Sequence, residues 1–386
     1  MPDRTVVVIN TGSTSVKIGL YGSAGSTAVS KAASMASSLV ERWSADASTD
    51  ELGPDRVSGI ERQLRAAPID PATLVAVAHR IVHGGDHFDG PVIVDAAVEA
   101  AIRSVADMAP LHNLAGLDGI TAARRVVEPS VPQVAVFDTT FHRTMTMAAA
   151  AYGGPYEWIG RGLRRYGFHG ISHEWAAHRA AVLLGRPLTE LRLVTCHLGG
   201  GCSVAAIDRG RSIDTTMGFT PLDGLVMATR SGSVDPGLIL HLLRTGTTVD
   251  ALEDLLERHA GLFGLSGVSG DLRSVTAARD DGDERARLAI DVFVHRVTAG
   301  AGAMAASLGG FDALVFTGGV GEHSSEVRTR VSARFAFAGV TLDERANATA
   351  TGDVDVSAAQ ASARVLVVTS REDLAIAANA INTVDR

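Results

Sequence analysis

A chain of 386 residues exceeds the size at which a single hydrophobic core stops growing, so two domains are the default. Hydrophobic residues make up 46% and charged residues 20%, and a net charge of −8 without a dense Lys/Arg block gives no electrostatic case for nucleic acid. The Ala-rich region 286–308 is interrupted by Arg287, Asp291, His295 and Arg296, so no uninterrupted apolar stretch of membrane-spanning length is expected. The N-terminal residues lack a secretion-signal pattern, and only Cys196 and Cys202 are present, which together predict a reducing cytoplasm.

Residues 4–20 (RTVVVINTGSTSVKIGL) predict a hairpin, with Asn10, Gly12, Ser13, Thr14, Ser15 and Lys17 within eight positions. That turn reads either as an ordinary hairpin or as a phosphate grip. Lys17 favours the second, although the spacing is not that of a Walker A loop. Residues 22–60 carry little pattern and read as peripheral. Asp95 can cap a helix whose Val98, Ile102, Val105 and Met108 share one face and which Pro110 ends. Residues 131–137 form a buried strand leading to Asp138, and Ser172 can cap a helix through Leu184 that Gly185 and Pro187 close.

Residues 192–207 (RLVTCHLGGGCSVAAI) repeat the first hairpin, with Gly199, Gly200 and Gly201 in its turn. Two such hairpins half a chain apart suggest a duplicated domain holding a phosphate from both sides of a cleft. Asp250 and Glu253 suit a capping box for 251–260, stopped by Gly261, and a long helix follows from Asp283 to Leu308. Residues 313–317 form a strand into Gly318-Gly319-Val320-Gly321, after which Glu322-His323-Ser324 opens a helix. Residues 364–369 form a strand before a helix that Ser370 and Asp373 would cap. This alternation predicts an α/β fold.

Chemistry gathers where these elements end. Arg80 (AHRIVHGG) and Arg230 (MATRSGS) each leave an apolar run for a Gly-containing turn, where they either cap carbonyls or hold an anionic acceptor. Asp138 sits where α/β sheets place functional groups. His83/His87 and His169/His173 are four apart, but glycines inside both intervals argue against a helical zinc face. His169 instead suits a transferring phosphoryl group. Glu372 either offsets a helix dipole or holds Mg²⁺.

The motifs NTGSTSVK, HRIVHGG, APLHN, FDTTFH, RRYGFHGISH, HLGGGCSVAAI, MGFTPLDGLVMATRSG, GLSGVSGDLR and FTGGVGEH resemble those of the acetate kinase family, in the same order and from Val6 to Ile381. The resemblance implies two duplicated ribonuclease-H-like domains of the actin-like ATPase superfamily with an interdomain cleft, working as a homodimer on acetate and ATP. It implies an N-terminal acyl/phosphate domain over 1–145, completed by the C-terminal helix 370–386, and a nucleotide-binding domain over 146–369. By the same resemblance Asp138, His169, Arg80 and Arg230 are catalytic, and Val82, Leu111, Phe168 and Pro221 form the acyl pocket. Asn10 and Glu372 would serve Mg²⁺ or Mn²⁺, and Lys17 the phosphates. The nucleotide contacts would be His197, Leu198, Gly199, Gly200, Gly201, Asp271, Leu272, Arg273, Gly319, Val320, Gly321, Glu322 and His323.

The chain departs from the family pattern at four places. Gly200 and His323 each replace an Asn, Ser233 replaces an Asp, and Ser370-Arg371-Glu372-Asp373 replaces Thr-Asn-Glu-Glu. These positions bear on nucleotide affinity, nucleotide choice and turnover. Propionate or another short acid is an alternative acceptor, because one methylene is worth only about 1–3 kcal/mol in an apolar pocket. A non-catalytic nucleotide-responsive binder would be expected to lose the pocket or the arginines, and neither is lost here.

Overall fold

The computed structural model describes residues 4–12, 15–23, 39–108 and 110–386. Within it the β-branched runs of the first hairpin become β1 (Thr5–Thr11) and β2 (Ser15–Ser23), paired antiparallel so that Asn10 faces Lys17. Ser13 and Thr14 of the turn lie outside the described residues. β3 (Leu39–Ser48), β4 (Leu74–Ile81), β5 (Val92–Ile93) and β6 (Gln133–Phe137) complete a sheet of order β3-β2-β1-β4-β6-β5. β1, β4 and β6 run parallel, and the strands flanking them pair antiparallel. Val7, Ile9, Ile18 and Val77 are almost fully buried in this sheet's core.

The second hairpin, β7 (Arg192–Leu198) and β8 (Cys202–Asp208), begins a second sheet with β9 (Arg211–Thr215), β10 (Ala313–Thr317), β11 (Val354–Asp355) and β12 (Arg364–Val367). Read from its β9 edge, the order is β9-β8-β7-β10-β12-β11, with the same parallel centre and antiparallel flanks. The two sheets therefore share one topology, the duplication that the paired hairpins announced. The chain divides into two compact units, Met1–Phe141 with Arg371–Arg386, and His142–Ser370.

The helix Glu284–Leu308 runs from its cap Asp283 to Gly309 as expected. It is long and apolar enough to cross a membrane by composition, with a mean hydropathy of 1.2. Its face of Ala289, Ile290, Phe293, Val297 and Ala301 is nevertheless buried, and it packs on β7, β8 and β9, as a core helix does.

Several boundaries differ from expectation. The peripheral stretch 22–60 contains the edge strand β3 and the first part of a helix, Arg56–Ala66. Asp95 does cap its helix through the Val98 N–H, but that helix ends at Ser104, and Pro110 opens the next one, Pro110–Val126. Proline fits that first position because its missing N–H would be unpaired there anyway. The helix Gly170–Leu184 starts before Ser172, with His169 as its N-cap, so Gly170 opens the helix rather than breaking it. Thr248 rather than Asp250 caps Val249–Arg258, and Gly261 begins a further helix, Gly261–Ser266. The helix Gly318–His323 contains the whole GGVG run, while Ser324 caps Ser325–Ser332. Neither Ser370 nor Asp373 caps Glu372–Val384: Arg371 is at the cap without a side-chain bond, and the Asp373 carboxylate accepts from Tyr21 and Arg371.

Candidate active site

In the first unit, parallel pairing brings strand ends together. Arg80 lies opposite Val136 and Ile81 opposite Phe137, so Asp138 follows β6 beside Arg80, and the Asp138 N–H continues the ladder to the Ile81 carbonyl. The guanidinium grips the carboxylate twice: Nη2 donates to Oδ2 at 2.6 Å and Nε to Oδ1 at 3.0 Å. Arg80 Nη1 donates to Asn10 Oδ1 at 3.3 Å, and Glu372 Oε2 stands 3.9 Å from Arg80 Nε. Asn10, Arg80, Asp138 and Glu372 are thus one group. Burial raises the Asp138 carboxyl above its usual range against the pull of Arg80. Burial also opposes the Arg80 charge, but Asp138 and Glu372 outweigh it and hold the guanidinium protonated.

The segment after Arg80 is braced from its own unit. Asn113 accepts from the His83 N–H and donates to the His83 carbonyl, and Thr139 accepts from the Gly84 N–H. These bonds fix the buried Val82 directly beyond β4. Leu111 lies on the helix Pro110–Val126, with its side chain outside what is described. Lys17 stands across from Asn10 on β2.

In the second unit the glycine turn is the organising feature. Gly199 N–H donates to the Gly201 carbonyl, and the Gly200 carbonyl accepts from Ala228 N–H, which ties the turn to the loop carrying Arg230. Gly318 closes the neighbouring strand end: its φ is +78°, and a Cβ there would meet the Leu198 carbonyl at 2.7 Å, so only glycine fits. A Cβ at Gly199 would stand 3.9 Å from Gly319 N and from His197 Nε2.

His169 has left-handed backbone angles (φ 57°, ψ 23°), an arrangement that costs a non-glycine residue roughly 1–2 kcal/mol and that collects at functional sites. The preceding residue is held by His142, whose Nε2–H donates to the Phe168 carbonyl at 2.9 Å while Nδ1 accepts from the Ser212 hydroxyl at 2.7 Å. Phe168 itself is buried. The imidazole of His169 reaches the glycine turn, because a Cβ on Gly201 would meet its Cε1 and Nε2 at 3.1 Å and Arg230 Nη1 at 3.8 Å. The His197 ring lies 4.3 Å from that of His169 and bonds Ser172 through Nδ1. Arg230 is anchored by Glu257, with Nε 3.1 Å from Oε2, and its Nη1 stands 3.5 Å from the Pro221 carbonyl.

The remaining nucleotide candidates are less directly committed. Asp271 spends its carboxylate on the Arg273 side chain and the N–H at the start of Leu272–Asp280, although Gly270 just before it abuts the Ala228 carbonyl of the Arg230 loop. Val320 and Gly321 lie within the helix that His323 ends. Glu322 Oε1 accepts from Ser370 N–H, and the buried Arg328 donates to the carbonyls of Gly321 and Glu322. Glu257 and Arg328 lie outside the motifs, and Ser203 and Asn113 lie in motifs that assign them no role. Ser203 alone had a usable signal, since the hairpin register sets it directly opposite His197.

The profile of the acetokinase family matches residues 5–378. The chain belongs to the acetokinase family. It is 53% identical over 309 residues to the acetate kinase of Gloeobacter violaceus, covering 80% of this chain and 76% of that one. It is 52% identical over 306 residues to the acetate kinase of a Synechococcus species, covering 79% and 76%. Among solved structures it resembles Porphyromonas gingivalis acetate kinase with a TM-score of 0.86 at 34% identity, over 98% of this chain and 99% of that one. A propionate kinase from Francisella tularensis resembles it nearly as well, with a TM-score of 0.85 at 33% identity over 98% and 99%. A Cβ at Gly200, in the middle of the glycine turn, would meet no atom within 4 Å.

Proposed function

We propose that this acetokinase transfers the γ-phosphoryl group of ATP directly to acetate, reversibly, giving acetyl phosphate and ADP. One observation carries the reading furthest: a guanidinium and an imidazole edge converge on the bare Cα of Gly201. A cation and a ring donor against a side-chain-free turn suit the equatorial oxygens of a phosphoryl group in transfer.

An acetate carboxylate is already ionised at pH 7, so attack on phosphorus needs no general base. The difficulty is to bring one anion up to another. Arg230, held by Glu257 through Nε, turns its Nη groups toward the phosphoryl oxygens, and His169 donates to them. Arg80 receives the acyl carboxylate with Nη1, its other edge being committed to Asp138. The buried Val82, directly beyond the strand that carries Arg80, takes the methyl group.

Among the described residues no three His, Cys, Asp or Glu side chains are arranged to hold a metal by themselves. Asn10 and Glu372, both beside Arg80, are hard oxygen donors that fit Mg²⁺ or Mn²⁺ completed by water and phosphate oxygens. Such an ion supplies charge neutralisation to the phosphates when bound. The same reading extends to a homodimer in the cytoplasm. The likeness to a propionate kinase favours propionate as the second acceptor. Hydroxamate trapping of acyl phosphate, with ATP and Mg²⁺ against formate, acetate, propionate and butyrate, tests the proposal. Acetate should give the highest kcat/KM. Equal values for propionate would widen the substrate to short acids, and no acyl phosphate from any acid would overturn the kinase reading.

A further inference from the structure

Behind His169 runs a line of side chains that the family motifs leave without a role. Its Nδ1 lies 2.9 Å from Ser203 Oγ. The same Oγ lies 2.8 Å from His173 Nε2, and His173 Nδ1 lies 2.7 Å from Thr195 Oγ1. Thr195, His173 and Ser203 are fully buried. Three hydrogen bonds thus join four side chains in series.

The direction of the series follows from counting protons. Thr195 has one hydroxyl proton, and the acceptor that faces it among the described residues is His173 Nδ1. If His173 Nδ1 were the donor, the Thr195 proton would be buried without an acceptor, at a cost of about 1–3 kcal/mol. Thr195 therefore donates to His173. A neutral imidazole has one N–H, so His173 carries it on Nε2 and donates to Ser203. Burial, with His142 and His197 nearby, holds His173 far below the usual histidine range and so neutral. Ser203 must then give its own proton to His169 Nδ1.

We propose that Thr195, His173 and Ser203 form a directed hydrogen-bond relay that fixes the tautomer of His169, placing its proton on Nε2, the edge that faces Gly201. The three are positioning residues, and they act only through His169. The inference rests on the phosphoryl-transfer role proposed for that histidine. A donor at Nε2 is what a phosphoryl oxygen requires; the opposite tautomer would present a lone pair to an anion.

Long-range ¹H–¹⁵N spectra of the full-length protein labelled at histidine test the relay without reference to turnover, with His169→Gln identifying the His169 signals. The expected result is a proton on His169 Nε2 in the wild type and a mixed or reversed tautomer in Ser203→Ala. A proton on Nδ1 in the wild type would overturn the relay even if acetyl phosphate forms. The Nε2 tautomer with no acyl phosphate from any acid would uphold the relay and refute the kinase reading. In kinetics, Ser203→Ala should lose roughly 10- to 100-fold in kcat, as removal of an orienting partner does, with KM changing much less. Thr195→Val keeps the shape and deletes the first donor, so kcat should fall, and Thr195→Ser should return it toward wild type. Equal losses in Thr195→Val and Thr195→Ser would mean packing alone and would overturn the proposal.

Discussion

The Cα of Gly201 faces the Nε2 edge of His169, so closely that a methyl group there would stand 3.1 Å from the ring and 3.8 Å from Arg230 Nη1. Gly201→Ala should therefore displace the imidazole by a few tenths of an ångström without disturbing the fold. Misplacement by 1 Å can cost about 100-fold in rate, so a loss of roughly 10-fold in kcat is expected, with Tm nearly unchanged. Steady-state kinetics beside a thermal melt checks this, and a kcat within about twofold of wild type would contradict the contact.

A Cβ added to Gly200, one residue earlier, would meet no atom within 4 Å, and the backbone there is not left-handed. Gly200→Asn should fold as well as the wild type. On the proposed nucleotide site, the added amide supplies one hydrogen-bonding group to the phosphates, worth about 1 kcal/mol, so KM for ATP should fall several-fold. Isothermal titration with a non-hydrolysable ATP analogue and the kinetic KM should move together.

Removing Asp138 strands a largely buried guanidinium. Asp138→Ala should cost roughly 3 kcal/mol of stability, with Glu372 at 3.9 Å too distant to replace the bidentate partner. Urea denaturation measures that loss, and the same variant should lose most of its kcat because Arg80 is no longer aimed.

The stability carried by two buried histidines should fall on mild acidification, against the opposite trend of Glu174, whose carboxyl burial raises to about 7. His142 and His79 are buried and neutral, each with its pKa lowered to about 4 by burial. The unfolded chain binds protons at these positions below about pH 6.5 while the folded chain does not, so their contribution is complete above about 6.5 and declines toward pH 4. A shift of this size corresponds to about 3 kcal/mol for one such histidine. Tm measured from about pH 7.5 to 4.5 should show the slope, and His142→Gln should flatten it.

Much of this was legible in the chain because strand alternation and glycine turns are local signals. The hairpins at Asn10 and His197, the helix from Asp283, and the strand ends carrying Arg80 and Asp138 all read correctly. β3 did not, because an edge strand such as LVERWSADAS exposes most of its residues and so lacks a clean apolar face. Ser172 looks like a cap, yet its hydroxyl bonds His197, and His169 begins the helix by taking left-handed angles that no propensity foretells. Glu257 was invisible because its pairing with Arg230 is a tertiary meeting between a loop and an otherwise ordinary amphipathic helix.

Formation of acetyl phosphate from acetate and ATP–Mg²⁺ by the wild type and by Arg230→Ala tests the assignment most directly. The wild type should form acetyl phosphate with stoichiometric ADP, and the variant, folded by thermal melt, should lose roughly 100-fold or more in kcat, as expected when a donor to the transition state is removed. Near-normal turnover in folded Arg230→Ala would contradict it.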